Sequence, residues 1–189
     1  MNLNIMIVGV GGQGTLLASR LLGAAMIAQG YDVKVSEVHG MSQRGGSVVT
    51  YVRCGDKVYS PMIELGEADL ILAFEQLEAA RWLPYLKRGG RLIVNTQQMD
   101  PMPVVTGAAE YPQGLLDQID ALGVQLTRVN ALDMAVSAGS PKAVNVALIG
   151  VMAQFAGMPR EVWDRAIQET VPQKFLALNQ KAFELGYHY

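Results

Sequence analysis

The chain has 189 residues, half of them hydrophobic and only 17% charged, with a formal net charge of −2. That balance excludes a globally disordered chain and a broad basic footprint for nucleic acid, and it allows one domain with a substantial core. The single cysteine, Cys54, excludes an intrachain disulfide, a cysteine-held iron–sulfur cluster and a structural zinc site.

The opening MNLNIMIVGV has no basic leader and no small-residue cleavage site, so no signal peptide is expected. Leu3–Val8 is a short apolar run ending in glycines and reads as a buried strand. Residues 13–29 have helical character and close on Gly30 as a C-terminal cap. Asp32–Glu37 reads as a second strand, so the chain opens on a β–loop–α–β crossover, the unit of a parallel sheet. Ser47–Arg53 is rich in β-branched and aromatic residues and is expected to turn at Cys54–Lys57 into a hairpin with Val58–Ser60.

Asp69–Phe74 is a further buried strand, and Glu75–Leu86 an amphipathic helix that Pro84 bends or ends. Arg91–Asn95 is again a strand. Residues 97–114, with three prolines and two glycines, form a connector with a short extended piece at Met102–Thr106. A helix at Leu115–Leu122 and a strand at Val124–Val129 follow. Four helices, near 131–138, 141–156, 159–170 and 172–186, complete the chain. The two longest apolar stretches, Thr15–Ala28 and Ala143–Met158, are broken by polar residues and fall short of a span of about 20 residues, so they read as buried helices. The fold class is α/β: one three-layer α/β/α, Rossmann-like domain over residues 1–189. Its sheet is mostly parallel but mixed, and its C-terminal part is helical.

Two loops carry the chemistry. Gly9, Gly11, Gly12, Gln13 and Gly14 lie in GVGGQG, a glycine turn between a strand and a helix. Glycines there allow the tight turn and let a ligand approach backbone N–H groups at a helix N-terminus. A dinucleotide reading also needs an acid at the end of the second strand, where Glu37 sits. Glu37 leads instead into HGMSQRGG, which contains His39, Ser42, Gln43, Arg44, Gly45 and Gly46. Arg44, flanked by glycines, suits a phosphate, a carboxylate or a partner's backbone. His39 suits positioning better than acid–base work. Parallel strands of a βαβ unit end on the same edge, so the two loops are expected to be neighbours. No nucleophile elbow, metal-ligand spacing or P-loop lysine accompanies them. The surface reads as built to hold a ligand or partner, without groups to transform it. Asn145, on an otherwise apolar helix, is expected either to hydrogen-bond into this region or to be a satisfied core amide.

The stretches GVGGQG, EVHGMSQRGGSVVTYVR, VYSPMIELGEADLILAFEQLEAAR and LKRGGRLIVN resemble the gamma subunits and domains of the 2-oxoacid:ferredoxin oxidoreductases, the small subunit of the indolepyruvate type in particular. AVNVALIG and VPQKFLALNQKAFELGY extend the likeness to nearly the whole chain. The resemblance implies oxidative decarboxylation of an aryl 2-oxoacid with coenzyme A, giving an acyl-CoA and reduced ferredoxin. It implies a larger alpha subunit holding thiamine diphosphate, magnesium and iron–sulfur clusters, with no cofactor on this chain alone and no activity in isolation. It places Gly9, Gly11, Gly12, Gln13, Gly14, His39, Ser42, Gln43, Arg44, Gly45 and Gly46 against coenzyme A or the partner, in a cytoplasmic complex with no membrane or nucleic-acid contact. A self-sufficient dinucleotide-binding oxidoreductase, and a gamma subunit for pyruvate, ketoisovalerate or 2-oxoglutarate, remain as alternatives at this point.

Overall fold

The computed structural model describes residues 2–39 and 46–189, the side chain of His39 excepted. Strand β1 (Leu3–Val10) is buried along its last six residues, as a continuous apolar run requires when both faces of a sheet are covered. The chain turns through Gly9–Gly14 into α1 (Thr15–Ala28), whose leucines and alanines favour helix. Gly30, at φ +82°, closes α1 as expected.

Then come β2 (Asp32–His39), β3 (Ser47–Gly55) and β4 (Ala68–Ala73), α2 (Gln76–Trp82) and β5 (Leu86–Asn95). A short helix α3 (Met102–Val105), α4 (Leu115–Asp120) and β6 (Gln125–Val129) follow. Helices α5 (Ala131–Ala138), α6 (Val144–Ala153), α7 (Arg160–Thr170) and α8 (Leu176–Tyr187) complete the chain.

The six strands form one sheet in the order β2-β3-β1-β4-β5-β6. β1, β4, β5 and β6 run parallel, while β3 is antiparallel to both β1 and β2. Side chains alternate across the sheet. Ile5, Ile7, Leu70, Leu72 and Ile93 face the larger core with α1 and the C-terminal helices. Met6, Val8, Ile71, Leu92 and Val94 face a smaller core closed by Ala79 of α2 and Leu116 and Ile119 of α4. This is the expected three-layer α/β architecture. The helix α6 is buried at every residue from Asn145 to Ala153 and packs against α8. Their backbones touch where two glycines meet: a Cβ on Gly150 would fall on Phe183 and Tyr187 backbone atoms, and one on Gly186 on Ala147. No helix among the described residues is long and apolar enough to cross a membrane.

Three local expectations are corrected. β3 pairs with β2 and β1, not with 58–60, which lie outside any strand. β1 and β2 point the same way but are not neighbours, because β3 lies between them. Residues 102–105 form a helical turn, with Pro103 in the first turn, where a missing N–H costs little. Pro84 ends α2 as expected, within a 3-10 turn at Leu83–Tyr85.

Candidate functional site

The strand order reverses direction of growth between β1 and β4, and the helices that follow these two strands, α1 and α2, pack on opposite faces of the sheet. Open α/β sheets hold ligands at that point. Here β1 ends in the glycine turn. Gly12 and Gly14 have φ of +97° and +81°, in the left-handed region that glycine adopts without strain. A side chain on Gly9 would meet the Phe74 Cβ at 3.0 Å, and one on Gly14 would meet Asn145 Nδ2 at 2.6 Å.

Gln13 turns back into the fold. Its Oε1 accepts the Val10 N–H at 2.8 Å, and its Nε2 donates to the Phe74 carbonyl at 3.1 Å. It thus pins the end of β1 to the end of β4. Asn145 Nδ2 donates to the Gly14 carbonyl at 3.2 Å, and its Oδ1 accepts the Val146 N–H. The expected link from the buried helix to the glycine turn is therefore made, and α6 fixes the start of α1.

The glycine turn meets the second loop directly: Gly11 N–H donates to the Gly46 carbonyl at 2.9 Å. The two loops are neighbours because β3 returns beside β1, pairing Val10 with Ser47. Ser47 Oγ donates to the buried carboxylate of Glu78 on α2, which also accepts the Trp82 Nε1–H. Ser42, Gln43, Arg44 and Gly45, with Gly40 and Met41, lie outside the described residues, as does the His39 side chain. Glu37 pairs with Thr50 on the far side of β3, two strands from β1. At about 4.8 Å per strand that places it roughly 10 Å from the glycine turn, so it is not the edge of a ribose pocket built on β1.

In front of Gly11, Gly12 and Gly14 opens a cleft of about 670 Å³. That is within the range of small-molecule sites, roughly 300–1,000 Å³. Its far walls are Met99, Leu132 and Val144, and its polar groups beyond the turn are Gln97 and Lys142. Gln97 is set by a buried amide: Asn95 Nδ2 donates to Gln97 Oε1 at 3.3 Å and to the Phe74 carbonyl at 3.2 Å. Asn95 Oδ1 in turn accepts the Ala131 N–H. Lys142 is exposed, stands in the turn that leads into α6, and has no carboxylate partner among the described residues.

Lys142 is a cleft-lining residue that the sequence reading did not single out. One signal was available: a lysine at the start of a helix opposes the macrodipole, and helices rarely place it there without cause. Gln97 and Asn95 carry no such signal. Their role depends on β5 ending beside β4.

Among the described lining residues Lys142 is the one titratable side chain, so the cleft holds no nucleophile–base pair. Cys54 is buried between strands, and burial pushes its thiol up. A cluster needs several thiolate ligands, and this chain has one cysteine, so its residues do not fit an iron–sulfur group.

The family model for pyruvate ferredoxin/flavodoxin oxidoreductase matches residues 4–189. Indolepyruvate oxidoreductase subunit IorB of Thermococcus kodakarensis is 45% identical over 190 residues, covering 97% of this chain and 93% of the relative. Among solved structures, the gamma subunit of keto/oxoacid ferredoxin oxidoreductase from Geobacter sulfurreducens superposes with a TM-score of 0.73 at 28% identity, over 98% of this chain and 96% of that one. 2-Oxoglutarate:ferredoxin oxidoreductase from Magnetococcus marinus, solved with 2-oxoglutarate, coenzyme A and succinyl-CoA bound, gives 0.76 over 99% of this chain and 30% of that one. At 19% identity that likeness is one of fold.

Proposed function

The chain belongs to the pyruvate ferredoxin/flavodoxin oxidoreductase family, and from that premise we propose that it is the smaller subunit of an indolepyruvate-type 2-oxoacid:ferredoxin oxidoreductase. Its larger partner holds thiamine diphosphate, magnesium and iron–sulfur clusters. Thiamine diphosphate supplies the carbanion chemistry on the oxoacid, and the clusters pass electrons to ferredoxin. This chain acts as one domain over residues 1–189, in the cytoplasm, and completes the surface where coenzyme A meets the partner.

The observation that carries the reading is the cleft. It joins a glycine turn and one lysine to an apolar wall, with no catalytic pair among its described lining residues. Coenzyme A matches that division, with phosphates for the N–H groups and Lys142, and the methylenes and geminal methyls of its pantetheine arm for Met99, Leu132 and Val144. Gly9, Gly11, Gly12 and Gly14 shape the turn, and Gln13 holds it. His39, Ser42, Gln43, Arg44, Gly45 and Gly46 form the adjoining rim toward coenzyme A or the partner.

The dinucleotide alternative loses its support with Glu37 placed two strands away. The indolepyruvate assignment rests on the 45% identity to the Thermococcus kodakarensis subunit; relatives named for pyruvate or ketoisovalerate stand at 25% to 29%. Affinity purification of the chain from its native cell is expected to bring down a larger subunit with iron–sulfur absorbance near 400 nm. Recovery of the chain alone, at concentrations where complexes of this kind persist, would contradict the reading.

A further inference from the structure

Outside the cleft the least expected group is a buried acid. Glu75, between β4 and α2, is 1% exposed and has no cationic partner among the described residues. Three neutral donors satisfy it. Its Oε2 accepts the Glu78 N–H at 3.0 Å, which caps α2. Its Oε1 accepts the Met99 N–H at 3.2 Å and the Tyr111 hydroxyl.

Met99 and Tyr111 are the two ends of one loop. Between them the backbone hydrogen bonds run within the stretch itself, from Val104, Val105, Thr106, Gly107, Ala108 and Ala109 back to carbonyls at 101–104. Met102 and Val105 stay 63% and 65% exposed. The loop has the form of an Ω-loop: its ends are close and it packs on itself. One carboxylate oxygen gathers its neck. Tyr111 is itself buried, and its hydroxyl also accepts the Leu77 N–H at 3.1 Å. Burial first, and the bond to Glu75 second, hold that phenol far above its usual range, so it remains a donor at any working pH.

The neck sits beside the cleft. Gln97 and Met99 line it, and Gln97 is also tied to α2 by the Gln76 N–H, at 3.3 Å. We propose that Glu75 is a positioning residue that cinches the 99–111 loop and thereby sets the cleft wall formed by Gln97 and Met99. It touches no substrate. It acts through the backbone of Met99, so its loss loosens ligand binding before it affects turnover.

This inference rests on the reading of the cleft as a coenzyme A site, and the test separates the two. Tyr111→Phe keeps the ring and removes one neck bond, and Glu75→Gln keeps the shape and exchanges the acceptor pair. Each variant is assembled with the cofactor-bearing subunit and assayed against coenzyme A, with Lys142→Ala in parallel. Both neck variants are expected to raise KM for coenzyme A roughly three- to tenfold, the worth of one or two lost hydrogen bonds, with kcat at saturating coenzyme A retained. A purely structural role would lower the active fraction, and hence kcat, without moving KM. If Lys142→Ala raises KM and the neck variants do not, the positioning role is overturned and the cleft reading stands. If none of the three moves KM, the cleft reading falls and the positioning role falls with it.

Discussion

Replacing Gly150 by alanine is expected to destabilise the isolated chain by about 3 kcal/mol or more. Gly150 lies in the middle of α6, with Phe183, Gly186 and Tyr187 backbone atoms of α8 where its Cβ would go; the Tyr187 nitrogen stands at 2.9 Å and the Gly186 carbonyl carbon at 3.1 Å. Backbone atoms cannot rotate away, so the two helices must part and the core around α6 must open. Alanine's higher helix propensity returns only about 1 kcal/mol, and overpacking wins. Gly23 on α1 provides the contrast, because a Cβ there meets nothing closer than Val35 Cγ2 at 4.0 Å. Gly23→Ala is expected to be neutral or stabilising by up to about 1 kcal/mol. Urea unfolding followed by the fluorescence of buried Trp163 reads both. The midpoint falls for Gly150→Ala at unchanged slope and holds or rises for Gly23→Ala. Equal midpoints for the two variants would mean that α6 and α8 are not in backbone contact.

The second large effect is electrostatic. Lys142→Glu reverses the one charge among the described lining residues of the cleft and leaves the buried groups in place. At about 5 Å from a phosphate in near-bulk dielectric, each unit charge contributes roughly 0.8 kcal/mol, so reversal costs about 1.5 kcal/mol, or roughly tenfold in KM for coenzyme A. Because Lys142 is exposed, the effect shrinks as salt is raised. The stability of the chain itself does not fall: Lys142 has no ion-pair partner among the described residues to lose, and an acid at the start of α6 sides with the macrodipole, a gain of at most about 1 kcal/mol. Steady-state kinetics of the assembled enzyme at two salt concentrations decide the point. A KM for coenzyme A that ignores both the reversal and the salt would remove the cleft from the coenzyme's path.

Much of this architecture was legible in the chain because glycine and proline punctuate it. GVGGQG marked the end of β1 and the start of α1, Gly30 the end of α1, and Pro84 the end of α2. The order of the strands was less legible. Periodicity tells a strand from a helix, but it does not say which strand is the neighbour. Ser47–Arg53 therefore went to a local hairpin, when its partners were β1 and β2. The β-branched Val104, Val105 and Thr106 suggested extended chain, and Pro101 and Pro103 outweighed them by suiting a first helical turn. At the site, the glycine turn and the adjacency of the two loops were expected from sequence, although antiparallel β3, and not a shared edge of neighbouring parallel strands, brings them together. Lys142, Gln97 and the Glu75 bond to Met99 were not, because they depend on the way β4, β5 and α6 come together.

The central claim is that this chain completes a catalyst that it does not contain. It is tested most directly by assaying coenzyme A-dependent oxidation of indolepyruvate, with ferredoxin or a viologen as electron acceptor. The chain, the cofactor-bearing subunit and their mixture are measured side by side. The chain alone is expected to show no turnover, and activity is expected to return on mixing and to saturate at a fixed subunit ratio. Turnover of indolepyruvate by the purified chain alone would contradict it.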